Sequence, residues 1–409
     1  MKMTMKTRES FPDLNQVTGF TTDEEKFEPF GWYKNMREHS PVHYDEGQDV
    51  WSVFKYDDVK RVAEDKDYFS NAVLIPDILK GTLMGLDQPK HTITRSLISR
   101  AFTPNAMASW SPRIDSIVAE LMASVRDRSR IDIVHDFAVP LPMIVISELL
   151  GVPSSDRAQF KEWCSALTLA PQENTPEEYM RVYEKQVQAS AKLVSYFQEI
   201  IEVKRSQPAD DIISDLIQAE EDGYKLSSEE LLSNCVFLLI AGNETTTSLI
   251  TSAIYSFHEH RLFGTLYKQP EFIPSGIEEV LRYRSPFQRS VRKVIQETEI
   301  GGKKLKPGDY IVYWIGSANR DEEHFERADE LILDRRNNKH LAFGKGIHVC
   351  LGSQLSRLEA KAALTALIQA YPDMAVDPLY RIDMASSNVY GLRSLPVQLG
   401  QLHELKEAN

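Results

Sequence analysis

Residues 343–352 read FGKGIHVCLG, a glycine-rich turn that carries Cys350 shortly before a predicted helix near Leu355. Glycines permit positive φ angles, so this turn can fold closely around one atom. A cysteine at a helix N-terminus is favoured as a thiolate, because unpaired N–H groups and the helix dipole stabilise negative charge. One thiolate does not complete a tetrahedral metal site, but it suffices as the axial ligand of an iron held by a porphyrin. The alternative is an inert buried cysteine, which describes most lone cysteines.

Cysteine count and charge exclude several other classes of protein. Only Cys164 and Cys235 accompany Cys350 among 409 residues, without a CxxC pair, which excludes a disulfide framework, a zinc finger and an iron–sulfur ligand set. The 47 basic and 60 acidic residues give a net charge of −13, which disfavours nucleic acid and anionic membranes as partners. Met1–Asn15 contains no signal peptide and no apolar run is long enough for a membrane anchor, so we expect a cytoplasmic location.

The order of the predicted elements indicates a mainly helical chain. Helical patterning extends from about Pro112 to His260, and strand-like segments are short and lie towards the two ends. The predicted strands are Pro41–His43, Trp51–Phe54, Thr298–Ile300, Tyr310–Trp314 and Leu395–Leu399, and the predicted final helix is Leu355–Tyr371. Strands and helices do not alternate, which excludes Rossmann and TIM-barrel architectures.

One long predicted helix has an irregular centre. Ser227 stands three residues before Glu230, a capping box that predicts a helix start, and the apolar pattern continues to His258. Such a helix has about 30 residues and a length of about 45 Å. Its centre, residues 241–247, reads AGNETTT, and glycine with β-branched polar residues weakens a helix interior. Local inconsistency of this kind is expected at a functional site, and an exposed threonine-rich turn is the alternative.

Three segments together resemble one family. At every fixed position residues 343–352 match FGxGxHxCxG, the heme-binding signature of the cytochrome P-450 superfamily. Residues 241–246 resemble its oxygen-activating helix motif, and residues 279–282, EVLR, resemble its Glu-x-x-Arg motif. Their order and the chain length are similar to the soluble bacterial branch. The resemblance implies a mainly α fold with minor β, in which residues 1–409 form a single triangular prism-like domain with small antiparallel sheets enclosing a heme, after a tail at about residues 1–15.

The resemblance implies heme b, iron protoporphyrin IX, with the Cys350 thiolate as the metal ligand. Four residues match the family's contacts to the heme propionates: His91, Arg95, Arg292 and His348. His91 and Arg95 are four residues apart and share a helix face, and arginine can bind a carboxylate through two hydrogen bonds. The other implied cofactor contacts are Ala241, Phe343, Gly344 and Gly352. For each charged residue taken alone, a solvated surface position is the alternative.

Glu279 and Arg282 are three residues apart, the spacing of an ordinary helix ion pair. The resemblance implies instead a buried structural pair with Arg335 as third member, which supports folding and heme retention. Ala328 and Leu331 depart from the Pro and Phe that are common in this part of the family, which puts the local packing in doubt.

The implied reaction is monooxygenation, in which one atom of O2 enters a C–H bond of an apolar small molecule. Glu244 would relay protons and Thr245 would hydrogen-bond the activated oxygen. The residues that match substrate contacts are Val73, Ile75, Ile78, Leu239, Ile240, Ala241, Phe287 and Val389. Their apolar character favours a fatty acid, terpenoid or steroid-like substrate, and plain core packing is the alternative for each.

No electron-transfer module is fused to the chain, so the electrons of NAD(P)H would arrive through a reductase and a separate ferredoxin or flavodoxin. A basic face for docking is formed in sequence by Lys339, Lys345, Arg357 and Lys361, unless these are scattered solvated charges. We expect a monomer. The other functions considered are a heme-thiolate peroxygenase using hydrogen peroxide, a non-enzymatic heme sensor, and an enzyme with Cys350 as nucleophile beside His348.

Overall fold

The computed structural model describes residues 14–71, 81–167, 175–220, 223–385 and 389–403. Val73, Ile75 and Ile78, which the sequence assigns to the substrate, lie outside the described residues, as do residues 1–13 of the expected tail. Most described residues are helical, as predicted. No helix among them is both long and apolar enough to span a membrane.

The helices follow the predicted order, with their greatest density between residues 104 and 283. They are α1 (Leu14–Thr18), α2 (Asp23–Phe27), α3 (Phe30–His39), α4 (Tyr56–Glu64), α5 (Lys90–Ser99), α6 (Pro104–Ser109), α7 (Ser111–Val125), α8 (Pro140–Leu149), α9 (Arg157–Leu167), α10 (Pro176–Ser206), α11 (Ile212–Gln218), α12 (Ser228–Glu259), α13 (Phe263–Lys268), α14 (Ile273–Tyr283), α15 (Ile315–Ala318) and α16 (Ser353–Ala370). A π-helical turn at Val134–Ala138 precedes Pro140, which begins α8 where the missing N–H costs nothing.

The strands form three sheets. They are β1 (Val42–Asp45), β2 (Val50–Val53), β3 (Phe69–Ser70), β4 (Arg130–Asp132), β5 (Ser290–Val294), β6 (Thr298–Ile300), β7 (Lys303–Leu305), β8 (Tyr310–Tyr313), β9 (Ala375–Val376) and β10 (Pro396–Gln398). The sheet orders are β1-β2-β8-β5-β3, β4-β10-β9 and β6-β7. The expectation of antiparallel sheets needs one correction, because β2 and β8 pair in parallel. Their long connection through the helical region permits that pairing, which a short hairpin does not.

The five-stranded sheet is covered on both faces. Along β8, Ile311 and Tyr313 belong to an apolar cluster with residues of α4, whereas Val312 and the following Trp314 belong to a cluster with residues of α3. Side chains alternate between the two faces of a strand, so this division places one helix on each face.

The long helix α12 crosses the main apolar core. Ser227 accepts from the Glu230 N–H while the Glu230 side chain accepts from the Ser227 N–H, so the predicted capping box is formed. The helix has 32 residues and packs against α8, α10, α14 and α16. The segment at residues 241–247 remains helical. A Cβ at Gly242 would meet Ile146 of α8 at 3.5 Å, an ordinary contact, so packing there does not require glycine.

The cysteine turn lies between α4 and the start of α16. Gly346 has a φ of +73°, and a Cβ there would come within 2.7 Å of the Glu64 Cα, so only glycine fits against α4. Gly352 is the N-cap of α16, which begins at Ser353, two residues before the predicted start. The turn is thereby fixed on one side by a helix backbone and on the other by a helix start.

Candidate active site

Backbone hydrogen bonds hold Cys350 at the end of its turn. Its N–H donates to the Phe343 carbonyl at 2.8 Å, and the Val349 N–H donates to the Gly346 carbonyl at 3.2 Å. Gly344 takes a φ of +71°, which lets the chain reverse. A Cβ at Gly352 would meet no atom within 4 Å, so the surface beside the thiol is open.

The thiol of Cys350 is subject to opposing influences. Part of the residue is exposed, yet desolvation by the surrounding protein raises the pKa of the thiol. The Gly352 N–H and the positive charges of Arg95 and Arg357 act in the other direction and favour the thiolate. The expected stabilisation at the helix N-terminus is therefore present but is outweighed by burial, and a bound cation would supply the missing stabilisation.

Four predicted cofactor contacts come together beside this turn. The rings of His91 on α5 and His348 in the turn have centroids 4.3 Å apart. Arg95, also on α5, donates to the Val349 carbonyl at 2.7 Å. Arg292 on β5 acts electrostatically on His348, whose pKa is lowered to about 3 by burial, by Arg292 and by His91. Side chains of α5, β5 and the turn thus meet at one place, where Arg95 and Arg292 carry the positive charge.

No carboxylate among the described residues forms an ion pair with Arg95 or Arg292. His91 is only 1% exposed, and both of its buried ring nitrogens lack a hydrogen-bond partner. Arg292 donates to the Asn71 side chain and to its neighbour's carbonyl, and neither is a carboxylate. Asp87, which raises the pKa of both histidines, is already bound by Ser70 and by the Asn71 N–H. Two arginines without a paired carboxylate, beside histidine nitrogens without a hydrogen-bond partner, fit the two propionates of a heme.

Two further predicted cofactor residues lie on different elements. Phe343 is half-buried and lies under the Arg357 guanidinium at 4.4 Å from the ring centroid. Ala241 lies on α12, where its carbonyl accepts from the Thr245 hydroxyl at 2.8 Å. Within the described residues no cluster of three His, Cys, Asp or Glu side chains is placed to bind a metal, so Cys350 has no protein co-ligands there.

Glu244 and Thr245 lie side by side on a half-exposed stretch of α12. Burial raises the pKa of Glu244, which is therefore a better proton carrier near neutral pH than an exposed carboxylate. Thr247 differs from Thr245, because its hydroxyl donates across to the Ala138 carbonyl at 2.9 Å. The threonine run therefore contains one residue that joins α12 to the π-helical turn and one, Thr245, that is half-exposed and bonds only within its own helix.

Helix geometry separates the predicted substrate contacts on α12. Ile240, Ala241, Glu244 and Thr245 are half-exposed, whereas Leu239 is 1% exposed and lies in the main core. At about 100° per residue Leu239 is turned about 160° away from Ala241. Leu239 therefore packs in the core, and its assignment to the substrate stays a prediction from the sequence. Phe237, four residues before Ala241 and half-exposed, was missed by sequence reasoning although its spacing places it on the exposed side. We call Phe237, Ile240, Ala241, Glu244 and Thr245 the distal stripe.

Two other predicted substrate contacts lie on neighbouring chain segments. Phe287 is 37% exposed, and Val389 is 7% exposed. The N–H of Tyr390, next to Val389, donates to the carbonyl of Pro286, next to Phe287, at 2.8 Å. One backbone hydrogen bond thus joins the two segments.

The Glu-x-x-Arg residues form a buried ion-pair network. Glu279 and Arg282 are both 0% exposed and are joined by two hydrogen bonds at 2.8 and 2.9 Å. Arg335 binds both Glu279 oxygens at 2.9 and 3.0 Å. Ala328, where the sequence departs from its family, contributes its backbone carbonyl to Arg282 at 2.7 Å. A backbone carbonyl does not depend on the side chain, so the departure leaves this contact intact.

The four basic residues near Cys350 are not equivalent. Lys339, Lys345 and Lys361 are exposed. Arg357 instead binds Glu278 through two hydrogen bonds at 2.6 and 2.8 Å, and Glu278 also contacts His340 at 3.1 Å. Its charge is therefore neutralised internally, whereas no ion pair within the described part of the chain neutralises the three exposed lysines.

Comparison with known proteins places these features in one family. The cytochrome P450 family model matches residues 20–262 and 268–392. The cytochrome P450 YjiB of Bacillus subtilis (strain 168) is 45% identical over 378 residues, which is 92% of this chain and 95% of that protein. The solved structure of substrate-free CYP109E1 from Bacillus megaterium is 45% identical, covers 93% of this chain and 100% of its own, and has a TM-score of 0.89. The structure of CYP109E1 with testosterone has the same identity and coverage and a TM-score of 0.85.

The matched residues include the cysteine turn, the cationic cluster and the distal stripe. Members of this family bind heme through a cysteine thiolate, and their fold is mainly helical with small sheets, as here. This chain belongs to the cytochrome P450 family and is a heme-thiolate monooxygenase.

Proposed function

We propose that this monooxygenase hydroxylates a steroid-like molecule and that the Cys350 thiolate would bind the iron of its heme. The cofactor site is supported most directly by Arg95 and Arg292, with which no carboxylate among the described residues pairs, and by the unpartnered ring nitrogens of His91 beside His348. Arg95 and Arg292 bind the propionates, and Gly344, Gly352 and Phe343 form the surface on the cysteine side. When bound, the heme activates dioxygen so that one oxygen atom enters a C–H bond.

Glu244 and Thr245 supply protons on the distal side. The Glu244 carboxyl, with its raised pKa, takes a proton from solvent and passes it towards Thr245. The Thr245 hydroxyl donates to the Ala241 carbonyl, so its lone pairs are free to accept from a protonated neighbour. The acid and the alcohol favour the use of dioxygen over the direct use of hydrogen peroxide, because the peroxide route does not need protons delivered by the protein.

The steroid-like substrate is supported by two observations. The distal stripe, Phe287 and Val389 are mostly apolar, and a shaped apolar wall with few polar groups suits a rigid hydrocarbon skeleton. CYP109E1, at 45% identity, binds testosterone in its solved complex. The substrate contacts assigned to Leu239, which packs in the core, and to Val73, Ile75 and Ile78 remain predictions from the sequence.

A separate acidic ferredoxin or flavodoxin delivers the electrons in this proposal. Exposed Lys339, Lys345 and Lys361 supply the positive face, since Arg357 is committed to Glu278. Attraction between opposite charges raises association rates and is screened by salt. We expect reduction to slow as ionic strength rises, and a salt-independent rate would contradict this docking. A monomeric single domain over residues 1–409 and a cytoplasmic location remain predictions from the sequence.

The carbon monoxide difference spectrum of the reduced protein tests the heme ligand. Thiolate ligation by Cys350 places the Soret band at its P450 position, and Cys350→His moves it to that of a histidine-ligated heme. A wild-type band at the histidine position contradicts the assignment. Titration with testosterone then tests the substrate class through the spin-state shift, with a fatty acid and a terpenoid as comparisons.

The proton pathway is tested by coupling. We expect Thr245→Ala to lower the product formed per NAD(P)H and to raise hydrogen peroxide release. Thr245→Ser keeps the hydroxyl and is the matched control, which retains coupling. Equal coupling in all three proteins would rule out this role for Thr245.

A further inference from the structure

Ser248 forms a long-range contact at the end of the distal stripe. It follows Glu244 by four residues and Thr245 by three, so helix geometry places it on the same side of α12. Its side chain is 0% exposed, and its hydroxyl donates to the backbone carbonyl of Tyr390, 142 positions along the chain. The stripe therefore ends against the turn at residues 389–391.

The backbone of Tyr390 binds two different parts of the protein at once. Its carbonyl accepts from Ser248, and its N–H donates to the Pro286 carbonyl at 2.8 Å. Half-exposed Phe287 follows Pro286, and Val389 precedes Tyr390. One peptide segment thus fixes α12, Phe287 and Val389 relative to one another.

Buried polar contacts also hold the side chain of Tyr390. Its hydroxyl interacts electrostatically with that of Tyr33, which is 0% exposed and donates to Gln288 Oε1 at 3.0 Å. The Gln288 amide donates to the Ser285 carbonyl at 2.7 Å. The Tyr390 side chain is therefore held by contacts that do not involve Ser248, because Ser248 binds only the Tyr390 backbone.

We propose that Ser248 is a positioning residue, whose hydrogen bond to Tyr390 sets the distance of Phe287 and Val389 from the distal stripe. This inference rests on the proposed function, since it treats the stripe as one wall of the substrate site. A ligand large enough to reach from the stripe to the turn depends on this contact, and a small ligand does not. Ser248 acts through Tyr390 and touches no reacting atom.

Substitutions at Ser248 separate the hydrogen bond from simple packing. Ser248→Ala leaves the buried Tyr390 carbonyl without this donor, so the turn must move to find another partner. Ser248→Thr keeps the hydroxyl. A Cβ at Gly391 would lie 3.8 Å from the Ser248 Cβ, so the missing side chain at Gly391 leaves space for the added methyl group.

The test compares a small and a bulky iron ligand on the holoenzyme. Imidazole and 4-phenylimidazole are titrated by their Soret shifts, which requires no knowledge of the substrate. We expect Ser248→Ala to weaken 4-phenylimidazole binding about three- to tenfold, the usual range for one hydrogen bond, and to leave imidazole binding unchanged. An inward shift of the turn crowds the bulky ligand and an outward shift removes its contacts, so both weaken it.

Three control variants accompany Ser248→Ala. Ser248→Thr restores the wild-type ratio of the two dissociation constants. Tyr390→Phe keeps the carbonyl that Ser248 binds and changes the ratio by less than about twofold. Ser252→Ala, at a serine that is 1% exposed one turn further along α12, leaves the ratio unchanged.

The outcomes decide between a positioning role and a structural one. An unchanged ratio in Ser248→Ala overturns the proposal, and so does equal weakening of both ligands or loss of heme, because each indicates general destabilisation. A wild-type protein without the thiolate Soret band would instead overturn the proposed heme ligand. Wild-type protein that binds 4-phenylimidazole but not testosterone contradicts the steroid-like substrate and leaves Ser248 testable.

Discussion

Two groups of arginines in this molecule differ in whether a carboxylate of the protein compensates their positive charge. Arg282 and Arg335 converge on the buried carboxylate of Glu279, and every contact of that carboxylate is internal to the protein. Arg95 and Arg292 lie beside the cysteine turn, and among the described residues no carboxylate pairs with either of them. The first group stabilises the fold, and the second is available to bind an anion from outside the chain.

The difference shows how to distinguish a structural charge from a binding charge. Removing a charge from water is costly unless a partner compensates it. A buried ion pair with both partners supplied by the chain has no capacity left for a ligand. In the cluster of His91, Arg95, Arg292 and His348 the arginines can still bind an anion, because the ligand supplies the compensating negative charge.

The largest effect is expected from breaking the compensated group. Glu279→Gln leaves two arginines buried without a carboxylate, and we expect a loss of about 3–5 kcal/mol in the free energy of unfolding. Chemical denaturation followed by circular dichroism measures this. The control is Glu330→Gln, at an exposed residue that pairs with exposed Arg327, and its unfolding midpoint should stay unchanged. A Glu279→Gln protein with the same free energy of unfolding as the wild type would contradict the distinction between the two groups of arginines.

A smaller effect is expected in the uncompensated group, and it should appear in heme retention. Arg292→Ala removes a propionate partner, and we expect heme transfer to apomyoglobin to accelerate about tenfold or more, the worth of a hydrogen bond to a charged group. Heme dimethyl ester has no propionate charge and serves as the control, for which the variant and the wild type should transfer alike. Equal acceleration with both hemes would assign Arg292 a packing role.

The smallest effect is expected from the half-exposed pair of Glu278 and Arg357. Burial alone would raise the pKa of Glu278, but hydrogen bonds from Arg357 and His340 outweigh it and lower the pKa to about 2. The pair therefore stabilises the protein above the unfolded pKa of 4.5 and loses that contribution as the pH falls towards 2. We expect Glu278→Gln to cost about 1 kcal/mol at pH 7, because solvent screens a pair of this exposure.

Denaturation of wild type and Glu278→Gln between pH 7 and pH 3 checks the sign. The difference in unfolding free energy should stay constant down to about pH 5 and then narrow. A difference that widens in acid would show that the pKa of Glu278 is raised in the folded protein. Together the three substitutions relate the cost of losing a charge partner to its burial.

Local patterns in the sequence predicted much of the fold correctly. The capping box at Ser227 and Glu230 marks the start of α12, and Thr298–Ile300 is the observed β6. These features depend on neighbouring residues, so short-range chemistry determines them. The turn around Cys350 was also recognisable from its glycines, because Gly344 and Gly346 adopt the positive φ angles that glycine permits.

The helical period describes the exposed side of α12. Leu239 and Ala241 are two residues apart and point in nearly opposite directions along the helix. The spacing of three and four residues selects Phe237, Ala241 and Glu244, which are half-exposed, as are Ile240 and Thr245. Helical period therefore predicts the exposed side of α12 better than sequence neighbourhood does.

The sequence by itself determined the helical class, the cysteine turn and the boundaries of α12, because these depend on contacts within a few residues. Only the tertiary structure decided that β2 and β8 run parallel, that Ala328 contributes a carbonyl to Arg282, and that Ser248 meets Tyr390. Each of these joins segments that are distant in the chain through backbone groups. Every residue type carries a backbone carbonyl, and every type except proline carries a backbone N–H, so no side-chain pattern indicates such contacts.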